Sequence, residues 1–207
     1  MYLARQSIKV IKAMLRERNL SQSALSDKTG VSIGQVNKTI TKLKRGFLAN
    51  TNPGRGVRLV DEERLFLTIG AESPLRAGFR KRYFVKGGLD TNMGKVGRAL
   101  GNFKYAFTLL PAIRYYSAAA SGVTISLHIS KGDIPGALAR LDQLDSGGGV
   151  PVEVYDANDG ILFDRVKRRG LYFVSFEQLI IDLFRTPQLV YLGMQLLNEY
   201  KAGRKHG

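Results

Sequence analysis

The sequence predicts an α+β chain in two parts, and three observations carry that expectation. Charge is distributed unevenly. Three segments of helical apolar spacing, closed by a glycine-rich turn, fill the first 60 residues. After residue 101, strict alternation of apolar residues is interleaved with helical segments. Of a net charge of +15, residues 1–60 supply most, with 12 Lys/Arg against two acids, Glu17 and Asp27. Residues 61–100 hold eight against five, and residues 101–207 hold 12 against 10. A polyanion is the natural partner of the first segment, and nucleic acid is the commonest such partner.

Each element follows in chain order. Residues 4–18, "ARQSIKVIKAMLRER", place Ile8, Ile11, Met14 and Leu15 on one stripe, which predicts a first helix. Ser21 is an N-cap for a short second helix, "QSALSDKT", with Gly30 as its left-handed terminator. Ser32 caps a third, running to about Arg45, with Val31, Ile33, Val36, Ile40, Leu43 and Phe47 as its apolar stripe. Its other face carries Gln35, Lys38, Lys42 and Arg45 without an acid. In "FLANTNPGRGVRLV", Asn52-Pro53-Gly54 and Gly56 supply turn chemistry between extended stretches at 47–51 and 57–60. Three helices and a basic-tipped hairpin are the order of a winged helix-turn-helix, predicted over residues 1–70. Ala24, Leu25 and the Gly30-Val31 turn let its helix pair cross closely.

In that arrangement the second helix of the pair enters the major groove of double-stranded DNA and presents its N-terminal side chains to base edges. Ser32, Gln35, Lys38 and Thr39 are then expected to face bases, Gln35 suiting adenine and Lys38 guanine. Lys42, Lys44, Arg45, Arg55 and Arg58 are expected along phosphate, with a minor-groove position as the alternative for Arg55 at the hairpin tip.

Residues 71–100 read as a connecting segment with breaks at Ser73-Pro74 and Gly87-Gly88, and residues 101–207 as a mixed α/β domain with a small sheet. The basic run "RAGFRKRYF" leaves open whether Arg80–Arg82 joins a DNA surface. "GVTISLHIS" predicts a strand, "DIPGALARLDQL" a helix, and "GVPVEVYD" and "ILFDRV" a hairpin around "ANDG". "GLYFVS" predicts a further strand, Ser175 with Gln178 a capping box, and Thr186-Pro187 the start of a last helix.

Chemistry is sparse in the second part. His128 alternates with apolar strand residues and reads as a core histidine; His206 lies in a tail. With no cysteine and two histidines so placed, no zinc ligand set is expected, and no cofactor. Asp156, Asp159 and Asp164 gather around the "DANDG" turn but miss the calcium-loop spacing by one residue. "GGLDTNMGKV" fails as a phosphate-binding loop, because Leu89 stands where its first glycine belongs and Val96 replaces the hydroxyl. A two-metal nucleotidyl-transfer site needs two carboxylates one residue apart on a strand, and no predicted strand carries them. The expectation is a non-enzyme. No apolar run reaches the roughly 18–20 residues of a membrane span, and the absence of cysteine fits a cytoplasmic location.

The arrangement resembles the AbiEi-type antitoxins of type IV toxin–antitoxin (abortive infection) systems and related winged-helix transcriptional regulators. The likeness lies in "YYSAAASGVTISLHISKG", "GVPVEVYD" and "GLYFVSFEQLIIDLFRTPQLVYLGMQLLNEY" following the basic helices. It implies an autorepressor whose N-terminal part binds an inverted repeat in its own promoter, as a homodimer or as two monomers side by side. It also implies that the second domain acts as an antitoxin against a nucleotidyltransferase-type toxin. Beside it stands a winged-helix transcription factor whose α/β domain senses a small molecule.

Overall fold

The computed structural model describes residues 6–17, 19–52, 56–116 and 122–203. Arg55, the Pro53-Gly54 turn and His206 lie outside the described residues. The chain is α+β and divides into two compact units. One is formed by residues 1–74 with 183–207, the other by Leu75–Asp182. Residues 71–100, read from the sequence as a connection, therefore fall mostly in the second unit, and residues 183–207 cluster with the first.

The first unit opens with helices α1 (Ser7–Arg16), α2 (Gln22–Thr29) and α3 (Ile33–Arg45). An antiparallel pair follows, β1 (Ala49–Asn52) and β2 (Gly56–Leu59), and then helix α4 (Glu62–Glu72). Caps set the helix boundaries. Ser21 Oγ accepts from Ala24 N at 3.1 Å, Ser32 Oγ from Gln35 N at 3.4 Å, and Asp61 Oδ1 from Arg64 N at 2.9 Å. Gly30 ends α2 in the left-handed region, φ 64°. Leu20, in the link between α1 and α2, accepts from Val57 N at 2.9 Å and bridges to β2. This tight approach needs Gly56, where a Cβ would stand 2.6 Å from the Leu20 carbonyl oxygen.

The buried stripe of α3 is Val36, Thr39, Ile40 and Leu43, the i, i+3, i+4, i+7 set of one helix face. Two expected members of the stripe are outside it. Ile33 is 56% exposed and Phe47 78% exposed. Phe47 lies past the helix end, where Leu48 N bonds Leu43 O and Phe47 N bonds Lys44 O. That bond pair is a Schellman turn, with Phe47 rather than glycine at its left-handed position, φ 56°. A side chain there costs about 1–2 kcal/mol. Phe47→Gly is accordingly expected to raise stability by about 1 kcal/mol, read as a higher urea midpoint; an unchanged or lower midpoint would show that the ring contributes packing.

The second unit holds β3 (Phe79–Val85), α5 (Leu89–Leu100), β4 (Tyr105–Thr108), α6 (Leu110–Tyr116), β5 (Ile125–Ser130) and α7 (Ile134–Asp142). It continues with β6 (Val150–Ala157), α8 (Asp159–Leu162), β7 (Val166–Arg168), β8 (Leu171–Phe173) and α9 (Phe176–Phe184), whose last two residues belong to the first unit. Six strands form one mixed sheet in the order β3-β6-β5-β4-β8-β7. The pairs β5/β6 and β4/β8 are parallel and the others antiparallel. The hairpin expected around "ANDG" does not form. Asn158 Oδ1 accepts from Gly160 N at 2.9 Å and caps α8, so the acids there start a helical turn. The hairpin in this stretch joins β7 to β8 through Arg169 and Gly170, both left-handed at φ 48° and 80°.

Strand β5 is buried from Ile125 to Ile129. On the sheet face opposite Ile125, Leu127 and Ile129, the fully buried His128 meets α9. Its Nε2 lies 2.7 Å from Asp182 Oδ2, which also accepts from Thr108 Oγ1 at 2.7 Å. Gln178 Nε2 donates to Asp182 Oδ1 at 3.0 Å, and Ser175 Oγ accepts from Gln178 N at the start of α9. The sequence expectation of a core histidine matches this burial.

The chain then returns to the first unit as α10 (Val190–Gly203). Phe184 stacks on Phe66 of α4 with ring centroids 5.3 Å apart. Close approach there depends on Gly70, where a Cβ would stand 2.2 Å from the Phe184 carbonyl oxygen. Leu192, Leu196 and Leu197 of α10 are buried, and Tyr200 donates its hydroxyl to Leu15 O at 3.2 Å. No helix among the described residues is long and apolar enough to cross a membrane.

Candidate nucleic-acid interface

Rotation along α3 at about 100° per residue sends its side chains two ways. Val36, Thr39, Ile40 and Leu43 point into the core; Gly34, Asn37, Lys38, Thr41, Lys42, Lys44 and Arg45 are exposed, and Gln35 is half-buried. No acid occurs on the helix. Lys38, Lys44, Arg45 and Arg58 of β2 make no ion pair among the described residues. Concentrated positive charge without intramolecular neutralisation is the electrostatic footprint of a polyanion site.

The predicted base-facing set is changed in one member. Thr39 is fully buried, its hydroxyl sharing a 3.0 Å hydrogen bond with Ser7 Oγ of α1 and donating to Gln35 O at 2.9 Å. It stands three residues after Val36 and four before Leu43, so helix geometry places it in the core and not at a groove. Its polarity suggested a surface role; a hydroxyl bonded to its own helix and a neighbour buries without penalty. Ser32 is exposed and occupied as the cap of α3. Lys38, Lys42, Lys44 and Arg45 lie on the exposed surface of α3 and Arg58 on β2, while Arg55 is outside the described residues. Lys12, counted among the basic residues of the first segment, is fully buried.

The other basic runs behave differently. Arg80, Lys81 and Arg82 pair with Asp156, Asp142 and Glu153 respectively. The hydrogen bond from Lys81 holds the Asp142 carboxyl below its ordinary range. That stretch of β3 is thus neutralised within its own unit. A further basic run at the β7–β8 hairpin went unread in the sequence, although "RVKRRG" was its signal. Arg165 stacks over Tyr172 at 4.0 Å, Lys167 lies 5.6 Å from the same ring, and Arg168 lies 5.7 Å from Tyr115. Arg168 also donates to the Tyr115 hydroxyl, which raises the guanidinium's affinity for its proton.

The acids around "DANDG" serve as ion-pair partners. Asp156 pairs with Arg80 and, at 3.3 Å, with Lys131; Asp159 pairs with Lys104 at 3.2 Å. The loop "SGGGV" is pinned to β3. Asp145 Oδ1 accepts from Phe84 N at 3.0 Å, and Ser146 N donates to Phe84 O at 2.8 Å. Compared with family models, with curated proteins and with solved structures, the chain matches none.

Proposed function

We propose that the first unit is a winged helix-turn-helix that binds double-stranded DNA and makes the protein a sequence-specific transcriptional regulator. On this reading α3 enters the major groove, α2 crosses the backbone, and the β1–β2 ribbon is the wing. The observation that carries it is the exposed face of α3, which bears Lys38, Lys42, Lys44 and Arg45 with no acid on the helix. The Gly30 turn between α2 and α3, and the Leu20–Val57 bridge that ties the ribbon to the helices, support the same reading. Lysines and arginines along phosphate supply affinity, and Gln35 with Lys38 supplies base contacts.

Repression of its own promoter is the expected output, and the test is direct. The full chain is titrated against a labelled duplex of its own upstream region and against a scrambled duplex, at two salt concentrations. Preference for the upstream duplex at about 150 mM salt, where non-specific contacts weaken, supports the regulator. Equal and salt-labile binding to both would reject sequence readout. The antitoxin role implied by the resemblance is tested separately, by growth rescue on co-expression with a neighbouring nucleotidyltransferase-type gene.

A further inference from the structure

Two residues at the start of α3 are not explained by packing inside the molecule. Ile33 is 56% exposed, so more than half of its surface stays in water and outside the core. Gly34 follows it in the first turn of the helix, where alanine is the better helix former. Most other glycines inside the longer helices are explained by a neighbour. A Cβ would stand 2.2 Å from Phe184 O at Gly70, 2.3 Å from Leu171 Cδ2 at Gly97, 2.9 Å from the Phe103 ring at Gly136 and 2.9 Å from the Phe184 ring at Gly193. At Gly34 a Cβ meets nothing within 4 Å, and the backbone is ordinary helix with negative φ. Neither a turn nor intramolecular packing asks for the missing side chain. The absent Cβ leaves the helix backbone at this point open to a surface approaching from outside.

We infer that the Ile33-Gly34 step is the apolar part of the base-reading surface and recognises the C5-methyl group of thymine. The inference rests on the DNA-binding reading above and names what that site reads. Thymine is the base that offers a methyl group in the major groove. Ile33 supplies an exposed branched side chain for it. Gly34 removes the Cβ that would hold the helix backbone away from the base edges. Asn37, exposed one turn beyond Ile33, suits the adenine N6 and N7 of a neighbouring pair, so the preferred sequence contains A·T pairs under the first two turns of α3.

The test begins with selection of bound duplexes from a random pool by the full-length protein. Each thymine of the selected site is then replaced by uracil, which removes the methyl and keeps every pairing group. At one thymine per half-site the wild type is expected to lose about fourfold in affinity, the worth of one buried methyl-sized group. Ile33→Ala should show the same loss on the thymine site and no further loss with uracil. Gly34→Ala should weaken binding to all sequences by about tenfold or more while its thermal midpoint stays level or rises. Enrichment of a site at which uracil has no effect, or the same effect on Ile33→Ala as on wild type, would overturn the thymine assignment and leave the DNA reading standing. Enrichment of no sequence would overturn both.

Discussion

Lys42→Ala, Lys44→Ala and Arg45→Ala combined are expected to weaken DNA binding about 100-fold at about 150 mM salt. All three side chains are exposed on α3. If each neutralises one phosphate, loss of three contacts lowers the slope of log affinity against log salt by nearly three, at roughly 0.9 per contact. The slope is the discriminating quantity, because a folding defect lowers the active fraction without changing it. Exposed substitutions of this kind shift stability by no more than about 0.5 kcal/mol, so the melting curve should be preserved. An unchanged slope would remove α3 from the phosphate-contacting surface.

Asp182→Ala is expected to produce the largest loss of stability, about 3–5 kcal/mol. The carboxylate lies 2.7 Å from His128 Nε2, accepts from Thr108 Oγ1 at 2.7 Å and from Gln178 Nε2 at 3.0 Å, in a fully buried setting. Its removal strands buried polar groups on β4, β5 and α9 at once. In a chain of this size the loss corresponds to a fall of about 10 °C in unfolding midpoint. Asp182→Asn keeps the shape and one carbonyl oxygen, so it should fall between alanine and wild type. Equal midpoints for Asp182→Ala and wild type would show that solvent or rearranged side chains satisfy these groups.

Much of the first unit was legible because helix spacing and caps are local. Val36, Ile40 and Leu43 marked the buried stripe of α3, Ser32 its start, and Ser21 and Gly30 the two ends of α2. Thr39 was misplaced because residue type was weighed above position, and position decides which way a helical side chain points. Ile33 and Phe47 fit the apolar period but stand at the two ends of the helix, where nothing covers them. In the second unit, β3 was missed for a similar reason. Three of its four exposed residues are cations held by acids distant in sequence, and among Arg80–Val85 only Tyr83 and Val85 are buried. The sheet order depends on parallel pairs between strands far apart in the chain, and alternation within a strand carries no information about its neighbours. The return of residues 183–203 to the first unit was equally silent, since Leu192, Leu196 and Leu197 have the spacing of any amphipathic helix.

The split first unit has a consequence for biosynthesis. During translation the basic face of α3 leaves the ribosome early, but Phe66 and Gly70 wait for Phe184, and Leu15 waits for Tyr200, until more than a hundred further residues have been made. A chain released prematurely at Asp182 carries every candidate DNA-contacting residue on an unfinished core. A product truncated at Asp182 is therefore expected to be less stable than the full chain and to be cleared faster by proteases.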